Sequence, residues 1–279
     1  MWDTISYWVA RLLELLYSFT GSWGIAIILF TLLIRIITHP LNKKQIDSMQ
    51  KMQRLQPQVK ILQEKYKNDR EAMSRETMQL YKTNKVNPMS GCLPLLIQLP
   101  IFILLYRVLS DLVSTEGFYA TFLGIDLGGS VYSTVVKACA ATTEGLTEEV
   151  IAGLIYLEGM PSTRLEIRNV GYAVLENPAG LLNIGYYFAN TLLLLANGGL
   201  MWLQQKFTSS GNPQMKTMMI MMPILITFIC LSLPGGVLLY WGVSSLLAVA
   251  QQAYTSKRTK TEMNDKPTLY KDKPMGNQQ

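Results

Sequence analysis

A single histidine, His39, and three scattered cysteines, Cys92, Cys139 and Cys230, are all that this chain offers for soft-metal or thiol chemistry. Without a second histidine, neither a histidine metal set nor a Ser-His-Asp triad has enough members, and without a CxxC pair there is no zinc or redox framework. The expectation is a protein that is not an enzyme and carries no metal or cofactor. Charge is equally scarce: 16% of the 279 residues are charged against 49% hydrophobic. The N-terminus has no basic stretch followed by an apolar core and a small-residue cleavage site. The first membrane span is therefore expected to act as the targeting signal itself.

What the chain does have is long apolar runs. Trp23 to Ile37, Cys92 to Val113 and Met218 to Leu233 are nearly free of charge, and about 20 apolar residues suffice to cross a bilayer. An all-α integral membrane protein follows, with spans expected at 22–38, 92–113, 181–203, 217–233 and 236–253. Residues 1–20 place Ile5, Trp8, Val9, Leu12, Leu16 and Phe19 at helical spacing against Asp3, Ser6, Arg11 and Glu14. That pattern suits an amphipathic helix lying in the membrane interface, broken by Gly21-Ser22.

The charges sit in blocks between the runs. Segment 41–88 holds eleven basic and five acidic residues, whereas 114–180 holds three basic and eight acidic. The positive-inside bias makes the first cytoplasmic and the second external, with the N-terminus outside and the C-terminus in the cytoplasm. Within 41–88, Met52, Leu55, Val59, Leu62 and Tyr66 alternate spacings of three and four. Asn68-Asp69 interrupts this seam before a second stretch bearing Met73, Thr77 and Leu80, so a helical hairpin is predicted, with Pro57 bending or restarting its first arm. In the external insert, 129–178, Thr147 is a candidate N-cap for a short helix over 150–157. The tail, 255–279, is too polar to fold and is expected to be a solvated basic segment.

Arg35 is the sharpest feature, because a guanidinium cannot shed its charge to enter lipid. Thr31 lies one turn before it and His39 one turn after, forming a polar stripe. Two readings stand: Arg35 snorkels to the cytoplasmic interface, or it forms the cationic wall of an aqueous cavity that awaits an anion. Asn183, Asn190, Asn197 and Gln204 recur every seven residues, a spacing that drifts only about 20° per repeat and so puts them on one face. They either join helices or line a polar cavity. Gln98 lies between Pro94 and Pro100, where freed carbonyls tolerate water or a kink. A methionine cluster at 215–222 has either a client-accommodating or a lipid-facing use. Tyr240-Trp241 follows the Pro234-Gly235-Gly236 turn and suits interfacial anchoring.

Taken in order, Thr31 to Pro40 (TLLIRIITHP), Met49 to Tyr66 with Asn68-Asp69, Asn87 to Tyr106 (NPMSGCLPLLIQLPIFILLY), Gln204-Gln205-Lys206, and Met222-Pro223 through Leu238–Trp241 to Gln251-Gln252 resemble the YidC-type membrane protein insertases. The resemblance covers most of residues 20–253 and points to the shorter, five-span bacterial form. It implies five helices around a hydrophilic groove, an external interfacial helix and a cytoplasmic hairpin that receives substrates, in the bacterial plasma membrane. It places the groove charge at Arg35, with Thr31, Gln98, Asn190, Asn197 and Trp241 as candidate lining. Nascent membrane proteins are the implied clients, with the Sec translocon, the ribosome and membrane lipids as further partners and no nucleic-acid sequence read. The insert at 129–178 and Ser244-Ser245, where a polar pair containing Asn is expected, depart from the pattern. The rival class is a small-solute transporter or channel subunit. A coupled transporter would usually show midplane carboxylates and repeated broken helices, which this sequence does not.

Overall fold

The computed structural model describes residues 2–84, 86, 93–116, 120–140, 173–175, 177–208 and 213–265. Helix α1 (Trp2–Thr20) ends where Gly21 takes a left-handed conformation, φ +65°, and its amide donates to the Tyr17 carbonyl at 2.7 Å. This is the glycine C-terminal stop that the Gly21-Ser22 break implied. The helix is packed as well as amphipathic. It crosses α2 (Trp23–Arg54) and α5 (Leu93–Glu116) and buries Leu13, while Trp2, Ile5, Trp8, Leu15 and Phe19 remain exposed.

Helix α2 runs unbroken through Pro40 to Arg54, so the predicted first span and the start of the hairpin are one helix. Proline removes one backbone donor there, but the turns around it are tied by side chains. Thr38 Oγ1 donates to the Ile34 carbonyl at 2.8 Å, and Asn42 Nδ2 donates to Thr38 Oγ1 at 3.3 Å. The first arm of the hairpin is thus a rigid extension of the span. It restarts at α3 (Gln56–Lys65) with Pro57 in the first turn, where a missing N–H costs nothing. Asp69 caps α4 (Arg70–Thr83) by accepting from the Ala72 amide at 2.9 Å. Met52, Leu55, Val59 and Leu62 are buried as the seam predicts, and Val86 folds back onto Met52 and Leu55 beside Tyr81. This apolar cluster is separate from that of the main bundle.

The main bundle joins α1, α2 and α5 to α7 (Phe188–Thr208), α8 (Pro213–Cys230) and α9 (Gly235–Asp265). Its core includes Leu13, Ile27, Leu105, Leu109, Val237 and Tyr240. Helix α9 lies along both α7 and α2, and α8 leans on α7. Among the described residues, Trp23–Met52 and Gly235–Thr255 are helices long and apolar enough to cross a membrane. The third predicted span starts late: residues 178–182 and 184–186 form 3-10 turns, and the α-helix begins only at Phe188. The first part of the tail, expected to be too polar to fold, is helical, because α9 continues to Asp265. Extending a formed helix fixes one residue per bond, whereas nucleation fixes several, so a polar segment that would not start a helix alone prolongs this one.

One small departure from an all-helical chain sits at the end away from the hairpin. Strands β1 (Thr121–Phe122) and β2 (Ile125–Asp126) pair antiparallel around Leu123-Gly124, both at positive φ, and lead into α6 (Val131–Ala140). The Thr147 cap, the helix predicted over 150–157, Cys92 and the tail beyond 265 lie outside the described residues. Because the hairpin has its own apolar cluster, its removal (41–84, with a short linker) should leave the bundle folded. Protease digestion in membranes should then yield the same resistant core as the full chain, and loss of that core would show the hairpin to be structural.

Candidate functional site

At the middle of the bundle α2 and α9 run in the same direction, and Arg35 of α2 reaches Ser244 of α9. Arg35 Nε donates to Ser244 Oγ at 3.0 Å, and Nη2 donates to the Ser244 carbonyl. The network continues across the bundle. Gln98 Nε2 of α5 donates to Tyr240 Oη at 2.7 Å, and Tyr240 lies one turn before Ser244 on α9. Among the described residues Arg35 makes no ion pair with a carboxylate. Its charge is satisfied by neutral oxygens, and the side chain stays half-buried.

The stripe through Arg35 is graded in exposure. Thr31 is 0% exposed and turns its hydroxyl back onto the Ile27 carbonyl at 2.7 Å, Arg35 is half-buried, and His39 is exposed. Thr31 is therefore corrected from cavity wall to sealed floor. Polar access rises towards the hairpin end, and the packed core lies below. Ser244 escaped the sequence reading, where it was only a departure from an expected pair. The available signal was its place one turn after Tyr240, on the same helical face as the phenol.

The amide stripe is corrected more sharply. Asn183 precedes α7 and donates instead to the Ala138 carbonyl at 3.4 Å, so it does not share the face. Asn190 is 0% exposed and brackets Asp126: its Oδ1 accepts from the Asp126 amide at 2.8 Å, while its Nδ2 donates to the Asp126 and Gly129 carbonyls at 3.0 and 3.2 Å. Asn197 donates to the Leu193 and Leu238 carbonyls at 2.9 and 3.1 Å, and Gln204 donates to the Ser245 carbonyl at 3.3 Å. These amides staple α7 to α9 and to the β2 turn, and Asn190 is wholly buried. Trp241 faces the same interior. It stacks edge-on against Phe102 and, with Asn197, Gly198, Thr227 and Cys230, borders a cleft between α7, α8 and α9.

The end of the bundle beyond Asn190 is closed by residues 125–131. The Gly235 amide donates to the Gly129 carbonyl at 2.9 Å, Gly236 to Leu127 at 2.8 Å, and Val131 to Leu231 at 3.2 Å. The turn needs glycine at 235, where a Cβ would lie 2.1 Å from the Asp126 carbonyl oxygen. Asp126 also accepts from the Gly129 amide and from Lys137 Nζ, anchoring the turn to α6. Burial pushes the thiol of Cys139 in α6 above its ordinary pKa. Of the methionine cluster, Met221 is exposed and Met222 half-buried; the side chains from 213 to 220 lie outside the described set.

Helices long and apolar enough to cross a membrane, with an arginine held between two of them by neutral oxygens, define a class of membrane protein, and the comparisons with known proteins fix the family. The family model described as 60Kd inner membrane protein matches residues 15–263. The chain belongs to this family. It is 37% identical over 253 residues to the membrane protein insertase YidC of Lawsonia intracellularis (strain PHE/MN1-00), covering 90% of this chain and 38% of that protein. It is 35% identical over 246 residues to that of Geobacter sp. (strain M21), covering 88% and 35%. The chain thus spans little more than a third of these relatives' length. A crystal structure described as an active YidC insertase with its first transmembrane domain resolved is similar at a TM-score of 0.60 and 26% identity, over 91% of this chain and 47% of that one. The protein is a helical membrane protein with a YidC-like fold.

Two measurements check the site. Asn190→Ala takes from the Asp126 amide and carbonyl their side-chain partner, each worth about 1–3 kcal/mol, and one of two donors from the Gly129 carbonyl, so heat or denaturant should unfold it well below the wild type. Single cysteines in a background lacking Cys92, Cys139 and Cys230 should label with a water-soluble thiol reagent at 35 and 39, and remain inert at 31, 190 and 197. Ready labelling at 190 or 197 would restore the amide wall.

Proposed function

We propose that this chain is a membrane protein insertase in the bacterial plasma membrane, receiving nascent membrane proteins at the hairpin end and releasing their apolar spans sideways into lipid. The observation that carries the reading is Arg35, a permanent cation inside an apolar bundle, held by neutral partners. A positive site of this kind lowers the cost of drawing a short, acidic tail part-way across the membrane, because the field of the guanidinium is strong where the dielectric is low. The relatives named as insertases support it. The charge blocks favour five spans, with the hairpin and the extended α9 in the cytoplasm and residues 114–180 outside. The work is non-covalent and needs no nucleotide or cofactor. The Sec translocon and the ribosome are proposed partners, the latter through the basic residues of α9 and the tail, which suit anionic rRNA.

Arg35→Lys keeps the charge and should retain much of the insertion of a client with an acidic tail, whereas Arg35→Ala should lose most of it while still accumulating in the membrane. Reconstituted vesicles and protease protection of the client measure both. Equal insertion by wild type and Arg35→Ala at matched protein levels would sink the reading.

A further inference from the structure

Helix α7, taken as the third span, has 21 residues, and about 20 suffice for a crossing. The uncharged stretch that contains it is longer. It begins at 177, so residues 178–186 stay free of charge although the crossing does not need them. They form the two 3-10 turns ahead of α7, from which Leu182 stands 80% exposed, with Ile184, Tyr186 and Phe188 about half exposed. The polar groups of these turns are spent inside the protein. The amides of Gly180, Asn183, Tyr186 and Tyr187 donate to carbonyls three residues back, and Tyr187 Oη donates to the Leu181 carbonyl at 2.6 Å. Asn177 Nδ2 donates inward to the Cys139 carbonyl of α6 at 3.0 Å, beside the Asn183 bond to Ala138. The β1–β2 tip reaches the same helix end, since a Cβ on Gly124 would lie 3.5 Å from that of Ala189. There Leu123 takes φ +52° and is 84% exposed. Hairpin turns give such positions to Asn, Asp or Gly, and a leucine lacks the local side-chain hydrogen bond that eases the strain.

We infer that residues 178–188 and the Leu123 tip form an interfacial foot, seated in the lipid leaflet on the side away from the hairpin. Three observations name lipid as what covers it. Phe188, Leu192 and Leu195 are exposed at successive helical spacings, so the face of the foot runs on into the bilayer-facing side of α7. The backbone of the 3-10 turns is already paired, as hydrocarbon demands and water does not. Both pieces, 117–125 and 177–205, are without charge, and Tyr186-Tyr187 lies where membrane interfaces collect aromatic rings. Because Asp126 follows the tip directly, the foot ties the segment that closes this end of the bundle, 125–131, to the bilayer surface. The inference rests on α7 being a span and holds whatever client the protein serves.

The test uses the full chain, in a background lacking Cys92, Cys139 and Cys230, in nanodiscs of phosphatidylethanolamine and phosphatidylglycerol, which leave both faces open to solution. Leu182→Cys, Ile184→Cys and Leu123→Cys each carry a nitrobenzoxadiazole dye. Leu195→Cys serves as the lipid reference, and Asn68→Cys, in the hairpin turn, as the aqueous one. The quenchers are iodide in the water and nitroxides at the top or the middle of a lipid chain. At 182, 184 and 123 the dye should lose most of the iodide quenching seen at 68 and respond more to the shallow nitroxide than to the deep one. At 195 the order of the two nitroxides should reverse. If Leu182→Cys or Ile184→Cys does not accumulate, Phe188→Cys on the same face reads the same boundary. Iodide quenching at 182 and 184 equal to that at 68, with neither nitroxide acting, overturns the proposal; it is the result expected if the face stands in water or docks a soluble protein. Quenching at 182 that matches 195 also overturns it, by placing the turns inside the span. Strong iodide quenching at 195 would strike the span itself, and the foot with it.

Discussion

A guanidinium keeps its proton at any pH a cell meets, so an arginine in the middle of an apolar bundle must be given oxygens, water or a counter-charge. Here it is given the hydroxyl and carbonyl of one serine, and much of the surrounding arrangement follows from that. Helices α2 and α9 must run side by side at the level of Arg35 and Ser244. Tyr240 must sit one turn before the serine, and α5 must bring Gln98 to the phenol. Because every partner is neutral, the site remains electropositive. A carboxylate in place of Ser244 would have neutralised the arginine.

The same economy of polar groups explains why one end of the bundle is shut. Residues 125–131 enter the bundle as irregular backbone, which is tolerated only where each amide and carbonyl finds a partner. Asn190 supplies three of those bonds from a single side chain, and the glycine turn at 235–236 supplies two more. The polar stripe on α2 therefore ends in the packed core at Thr31.

The hairpin is coupled to this site more directly than a separate loop would be. Since α2 passes through Pro40 without a break, the arm that carries Met52 and Leu55 is a lever continuous with the helix that carries Arg35. Its own small cluster closes with Val86, so it keeps its shape without leaning on the bundle.

The sequence by itself determined the membrane class, the apolar runs, the hairpin seam from Met52 to Tyr66 and the importance of Arg35, because each rests on spacing within one element or on the chemistry of one residue. It also determined the Gly21 break and the restart at Pro57, whose backbone preferences are local. What only the tertiary structure decided is which polar groups meet. Heptad spacing placed Asn190 and Asn197 on one face of α7, but whether that face met water or carbonyls depended on where the β2 turn and α9 were packed. Ser244 looked like a substitution of little consequence until α2 was laid against it. A side chain's partners 209 residues away are set by how helices pack, and no periodicity within one helix carries that information.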